Sequence, residues 1–379
     1  MVTKIAIISG SYPNMKCGVG DYTDVLVSYL SDIGIDVDVL TSANREVVRN
    51  DQIKPIITNW GLSCIKEIFK YCKSNNINIV HIQYPTKGYG YKIGTNLLPL
   101  FNKIIKIFSS NKLRIVTTIH EFSQSHILRK ISIVPLILFS DDIILTDQSE
   151  ENKINRLMPF FIDKSKYKII HIGSNILPNK AANCTCHDDS KLITYFGFIR
   201  PDKGIDTLLK AIPLTKVYSE DDFKLAILAE LNDDDEYHMK IKNLIKKLNI
   251  DREKIDITGY LPSGKISEYL MRSKLSVLPF RDGITCRRST FIASVIHDTP
   301  VLSTYTKLTS VDLYDTFRNY LVEPNNVSGL AENIDKFFYD KGYKDDLISK
   351  TRDIKKLFDW ENIAYEHKLL HERRDTQSA

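Results

Sequence analysis

Three segments of the 379-residue chain carry residue types able to hold an anion. The first, Ser9-Gly10-Ser11-Tyr12-Pro13-Asn14-Met15-Lys16-Cys17-Gly18-Val19-Gly20-Asp21-Tyr22, follows an apolar run and opens a helical pattern. Gly18 and Gly20 let main chain come close to a ligand, at a helix start where free N–H groups and the dipole favour negative charge. The second, Gly197-Phe198-Ile199-Arg200-Pro201-Asp202-Lys203-Gly204, sets Arg200 and Lys203 beside another helix start and suits a phosphate. The third, Pro279-Phe280-Arg281-Asp282-Gly283-Ile284-Thr285-Cys286-Arg287-Arg288-Ser289-Thr290, gathers three arginines with two hydroxyls. The apolar residues after it, Phe291 to Ile296, predict a buried helix whose N-terminus opens on a cleft. His120 closes the run 115–119 at a strand's carboxyl end, where open α/β sheets bind ligands.

Neither glycine-bearing loop is a nucleotide fingerprint. Gly18-Val19-Gly20 runs into Asp21-Tyr22-Thr23 with no third glycine. It also sits about ten residues past its strand, too far for a dinucleotide-binding turn. The second loop lacks the Gly-Lys-Ser/Thr order of a P-loop. A dinucleotide oxidoreductase is therefore disfavoured. On spacing alone, the first loop is equally compatible with a ligand site and with a plain loop-to-helix turn.

The elements that must position these loops are legible as alternating patterns. Strand candidates at 4–9, 37–41, 77–83, 114–120, 142–146 and 167–172 are nearly continuous apolar runs, as expected of parallel strands covered on both faces. Tyr22, Val25, Leu26, Tyr29 and Leu30 form one helical stripe between the first two, a βαβ unit. The second half repeats the scheme with strands at 192–196, 223–228, 255–257, 275–279, 301–304 and 320–322 and helices at 205–212, 236–248, 265–271, 291–296 and 330–338. The polar, aperiodic stretch 176–191 reads as a linker. Two doubly wound α/β domains follow, with residues 1–178 and 179–357, and a terminal amphipathic helix within 358–379.

Bulk properties set the boundaries. Hydrophobic residues make up 43% and charged residues 26%, which excludes wholesale disorder. A net charge of +5 from 52 basic and 47 acidic side chains suits anionic ligands but not a dedicated nucleic-acid binder. Six scattered cysteines imply no disulfide framework, and the greasy stretch 131–139 falls short of the roughly 20 residues a bilayer span needs. A soluble protein of a reducing, cytoplasmic compartment is expected. Asp233-Asp234-Asp235 reads as helix-start acids and not a metal site, and Cys184-Thr185-Cys186-His187 lacks the second pair of a zinc site.

Taken in order, the motifs resemble the retaining GT-B glycosyltransferases of the "glycosyl transferases group 1" family. The resemblance rests on Ser11-Tyr12-Pro13 with Gly18-Val19-Gly20-Asp21-Tyr22, His120, and Tyr195-Phe196-Gly197 through Asp206. Ile257-Thr258-Gly259-Tyr260-Leu261, Val277-Leu278-Pro279-Phe280, Thr299-Pro300-Val301 and Phe358-Asp359-Trp360 extend it over essentially the whole chain. It implies two Rossmann-like domains facing a central cleft, with the terminal helix returning to the N-terminal, acceptor-side domain. It further implies Gly18 and Gly20 under the donor phosphates and sugar, His120 on the donor sugar, Lys203 on the diphosphate, and main chain near Leu261 on the nucleobase. No metal or cofactor is implied beyond the nucleotide-sugar donor.

The chain departs from the family at three places. Phe198 stands where the family usually has an arginine, with Arg200 two residues later. Thr285 and Ala293 occupy the positions of its two glutamates. Arg287-Arg288-Ser289-Thr290 looks instead like the Arg-Arg-x-Ser stretch of a subgroup, and Asp282 replaces the first acid if the frame slips. The departures leave open a catalytically degenerate GT-B protein that binds a nucleotide sugar or a partner enzyme. Lys103, Lys106, Lys112, Arg114, Arg129 and Lys130 beside 131–139 suggest contact with an anionic membrane, and the resemblance implies a saccharide or lipid-linked acceptor in polysaccharide assembly at its inner face.

Overall fold

The structure, a computed structural model, describes residues 4–13, 15, 17–43, 51–108, 113–122, 126–158, 163–179 and 191–373. The chain divides into two compact units, Met1–Gly173 with Trp360–Ala379, and Ser174–Asp359.

The first unit is built on seven parallel strands: β1 (Lys4–Ile8), β2 (Asp36–Ser42), β3 (Ile53–Ile57), β4 (Ile79–Tyr84), β5 (Arg114–Ile119), β6 (Asp142–Leu145) and β7 (Tyr167–Ile169). Their spatial order is β3-β2-β1-β4-β5-β6-β7, so the winding reverses between β1 and β4. Among the described residues, five α-helices lie between them: α1 (Gly18–Asp32), α2 (Ser63–Ser74), α3 (Gly94–Phe108), α4 (Ile127–Phe139) and α5 (Gln148–Leu157). The apolar runs are explained by two cores. Ile5 and Ile7 of β1 face one with Tyr22, Leu26 and Leu30 of α1, while Ala6 and Ile8 face the other with Ile68 of α2 and Leu98 of α3. β3 carries Pro55, which sequence patterning rejects in a strand but which an edge tolerates.

The second unit has six parallel strands, β8 (Lys191–Phe196), β9 (Phe223–Leu228), β10 (Ile255–Ile257), β11 (Leu275–Leu278), β12 (Val301–Thr304) and β13 (Leu321–Val322), in the order β10-β9-β8-β11-β12-β13. Its helices are α6 (Ile205–Ala211), α7 (Glu236–Lys247), α8 (Ser263–Arg272), α9 (Ser289–Ile296), α10 (Val311–Phe317), α11 (Val327–Tyr339) and α12 (Lys341–Lys355). Here the winding reverses between β8 and β11. In doubly wound sheets such reversals open a crevice at the strands' carboxyl ends. The loops after β1, β8 and β11 are the three segments singled out above.

The last helix, α13 (Trp360–Glu372), packs in the first unit. Trp360 lies against Tyr22 and Tyr29 of α1, at 5.1 and 5.9 Å between ring centroids. Arg114, expected on a basic surface, is instead buried: its guanidinium pairs with Asp142 at 2.6 Å and donates to the carbonyls of His371 and Arg373 at the end of α13. Lys112, Cys184–His187 and most of the linker 176–191 lie outside the described residues. Among the described residues no helix is long and apolar enough to cross a membrane.

Candidate functional site

In the second unit, the loops after β8 and β11 are locked together. Gly204, at φ +68°, begins α6, and a Cβ there would stand 1.9 Å from the Pro279 carbonyl oxygen, so only glycine fits. The Arg281 N–H donates to the Asp202 carbonyl at 2.9 Å. This closure brings two cations to one aromatic ring. Lys203 Nζ lies 5.4 Å and the Arg288 guanidinium carbon 4.7 Å from the centroid of buried Phe280. Both side chains are largely buried; Lys203 contacts Asp202 at 3.4 Å, and Arg288 pairs with Asp282. Burial, then the nearby Arg288 guanidinium, lowers the Lys203 pKa below its ordinary value. A site that holds cations close enough to repel one another is relieved by an anion.

Arg288 is also the N-cap residue of α9, and no side chain caps that helix among the described residues. Its first-turn N–H groups thus remain available beside the exposed Ser289. Every residue from Phe291 to Ile296 is buried, which fixes the helix rigidly. Thr285 is buried, and its carbonyl accepts from the Arg288 N–H at 3.1 Å. Arg287 is half-buried one position before Arg288. Arg200 is more exposed and ion-paired with Asp202, whereas Arg281 is taken up by both oxygens of Asp206. Leu261 follows β10, across β9 from β8, and packs partly on Leu192, Ala226 and Leu228. The aromatic residues Phe198 and Tyr260, at the ends of these strands, are both more than three-quarters exposed, at 78% and 79%. Asp235 caps α7 through the N–H groups of Tyr237 and His238, and Asp233 pairs with Lys242.

In the first unit, Gly20 is required by close approach, since a Cβ would lie 2.9 Å from the Ser11 carbonyl oxygen. Gly18 meets no such neighbour and is exposed. Tyr22, two residues into the helix beyond Gly20, sets its ring edge against His120 at 4.9 Å, so the structure joins the glycine loop to that histidine. His120 Nε2 lies 2.7 Å from Gln83 Oε1, at the end of β4. Burial, with a smaller contribution from His367, drives the His120 pKa down to about 3, so the ring is neutral at ordinary pH. A neutral ring donating Nε2–H to Gln83 keeps Nδ1 as an acceptor.

Sequence patterning missed Gln83, Phe280 and Tyr22 as site residues. Gln83 carries the same signal as His120, a polar residue ending an apolar run at a strand's carboxyl edge. Phe280 looks like core, and only the fold shows that two cations share it.

The model for the family described as glycosyl transferases group 1 matches residues 182–354, just under half of the chain. No curated protein sequence matches. The fold is similar to a glycosyltransferase from Rickettsia africae ESF-5, with TM-score 0.72, 16% identity and full coverage of both chains. It is also similar to sucrose-phosphate synthase from Thermosynechococcus elongatus, with TM-score 0.67, 17% identity, and 97% and 98% of the two chains covered. A third similar structure is Anabaena HepE in complex with UDP-glucose, with TM-score 0.62, 13% identity, and 98% and 100% covered. The chain thus has the two-domain Rossmann-like α/β architecture of these proteins.

Proposed function

We propose that the protein is a metal-independent glycosyltransferase that moves a sugar, with retention of configuration, from a nucleoside-diphosphate sugar to a saccharide or lipid-linked acceptor. The observation that carries it is the Lys203–Phe280–Arg288 cluster at the uncapped start of α9. The bond from the anomeric carbon to the diphosphate breaks heterolytically, leaving positive charge on the sugar and added negative charge on the leaving group. Lys203, Arg288, Arg287, Arg200 and the α9 N–H groups hold that anion, the electrostatic stabilisation that transferases need. Gly18 and Gly20 serve the phosphates and sugar, and neutral His120 takes a sugar hydroxyl through Nδ1. Leu261 main chain, with adjacent Tyr260 and with Phe198 just past the end of β8, serves the nucleobase. The match to the group 1 family model and the UDP-glucose bound by HepE support a nucleotide-sugar donor.

α3 and α4 supply the acceptor side. Ile107, Phe108 and Leu128 are 75%, 84% and 70% exposed, on helices that also carry Arg129 and Lys130, and Lys103 and Lys106, which both pair with Asp141. Such a surface suits the anionic inner face of a membrane and a lipid-linked acceptor in polysaccharide assembly. A binding-only protein is the second reading, favoured by Ala293 and Thr285 standing buried where the family carries glutamates. The test is to screen uridine, guanosine and adenosine diphosphate sugars by thermal shift, then to assay diphosphate release with saccharide acceptors. Stabilisation with acceptor-dependent release supports the transferase. Stabilisation without release supports the binding-only reading, and neither effect overturns both.

A further inference from the structure

A buried polar chain runs from His120 to the end of the protein's last helix. Gln83 Oε1 lies 2.7 Å from His120 Nε2, and Gln83 Nε2 lies 3.4 Å from His81 Nε2. His81 Nε2 also meets the Thr118 hydroxyl at 2.7 Å, and His81 Nδ1 meets His371 Nε2 at 3.2 Å. His81 and His371 are fully enclosed, at 0% and 2% exposure, and the chain ends at His371 Nδ1, which has no hydrogen-bond partner. The guanidinium of Arg114 holds the carbonyls of His371 and Arg373, anchoring this end of α13 to β5. These histidines, with His367 beside them, do not form a metal-binding group among the described residues.

Each neutral imidazole has one donor and one acceptor, and an amide has a donor end and an acceptor end. With the Gln83–His81 contact made, the bonds run in one of two consistent directions. In one, His120 donates to Gln83, Gln83 to His81, and His81 to His371. In the other, the amide is turned over and every link reverses. The 2.7 Å contact at His120 fits N–H to oxygen, and the longer contact at His81 fits nitrogen to nitrogen, which selects the first direction. In this direction the single lone pair of His81 Nε2 is shared, the Thr118 hydroxyl donating at 2.7 Å and the Gln83 amide more weakly at 3.4 Å.

We propose that Gln83 is a positioning residue that fixes His120 as its Nε2–H tautomer, and that His371, through His81, sets the orientation of the Gln83 amide. The helix that ends the chain thereby decides whether His120 presents a lone pair or an N–H. The functional consequence rests on the reading above, in which His120 Nδ1 accepts a hydroxyl of the donor sugar. The tautomer itself does not depend on that reading.

The test uses the full-length protein labelled with nitrogen-15 in its nine histidines, the His120 signals being those lost in His120→Asn. Long-range proton–nitrogen spectra distinguish the two tautomers. Wild type is expected in the Nε2–H form, and Gln83→Met and His371→Phe are expected to show both forms at His120. A wild-type Nδ1–H form or mixture overturns the proposal even if neither variant folds. An unchanged Nε2–H form in folded Gln83→Met also overturns it. With UDP-glucose as probe, Gln83→Met should lower kcat about tenfold with little change in KM, the loss of one oriented hydrogen bond. If the spectra behave as expected but wild type turns over no sugar nucleotide, the positioning stands and the transferase reading falls.

Discussion

Mild acid should unfold the first unit before its carboxylates titrate. His81, His367 and His371 are buried together, each at 2% exposure or less. Burial is the largest influence on all three and lowers each pKa, that of His367 to about 4. The neighbouring rings push the His81 and His371 values further down, and Arg114 also opposes charge on His371. Each folded-state pKa lies below the unfolded value of 6.5, so the unfolded chain binds more protons as pH drops. Stability is therefore complete above about pH 6.5 and is lost progressively below it. With His120 of the same unit, which burial also holds far below 6.5, four protons at about 1.4 kcal/mol per pH unit give a slope approaching about 5.5 kcal/mol per unit, or about 8 kcal/mol lost by pH 5. That is comparable to the whole stability of many domains. Both tryptophans, Trp60 and Trp360, lie in the first unit, so urea unfolding followed by tryptophan fluorescence reports on it alone. The expected result is a sharp fall in stability between pH 7 and pH 5, with about a quarter of the slope removed in His367→Leu. A change below about 1 kcal/mol over that interval would refute the reasoning.

Four further outcomes follow from the geometry. Lys203 is held below its ordinary pKa by burial first and by Arg288 next, so its charge costs the folded state something. Lys203→Met should melt no lower than wild type yet lose about 100-fold or more in turnover; wild-type turnover would remove Lys203 from the diphosphate site. Gly204→Ala should lower stability by about 2–4 kcal/mol in urea unfolding, because the new Cβ meets the Pro279 carbonyl at a positive φ. Gly18→Ala should melt like wild type, since nothing lies within 4 Å of its Cβ, so any loss of donor affinity there reports ligand approach. Sedimentation with anionic phospholipid vesicles at low salt should capture the wild type but not Ile107→Glu/Leu128→Glu; equal capture of both would clear α3 and α4 of the role.

Much of this architecture is legible from apolar periodicity, because parallel strands buried on both faces and one-striped helices leave strong patterns. β3 is not, since Pro55 breaks its pattern and only its place at the sheet edge makes it tolerable. The basic side chains also mislead in part. Arg114 reads as cationic surface and Arg281 as one of three arginines gathered for an anion, yet each is engaged by an aspartate that sequence spacing does not bring near, Asp142 and Asp206. Lys203 and Arg288 are 85 positions apart, and the loop closure at Gly204 and Pro279 is what unites them on Phe280. The histidine chain is invisible beforehand for the same reason. His81 sits in an apolar run and His371 on the last helix, and nothing local pairs them.

The claim on which the functional account depends is that Lys203 and Arg288 receive a nucleotide's second phosphate. Calorimetric titration of uridine, guanosine and adenosine diphosphates, each against its monophosphate, tests this directly. For the preferred nucleotide, wild type should bind the diphosphate at least about tenfold more tightly than the monophosphate, and Lys203→Met and Arg288→Met should each collapse that ratio toward one. A ratio that both variants leave intact would place the diphosphate elsewhere and contradict the account.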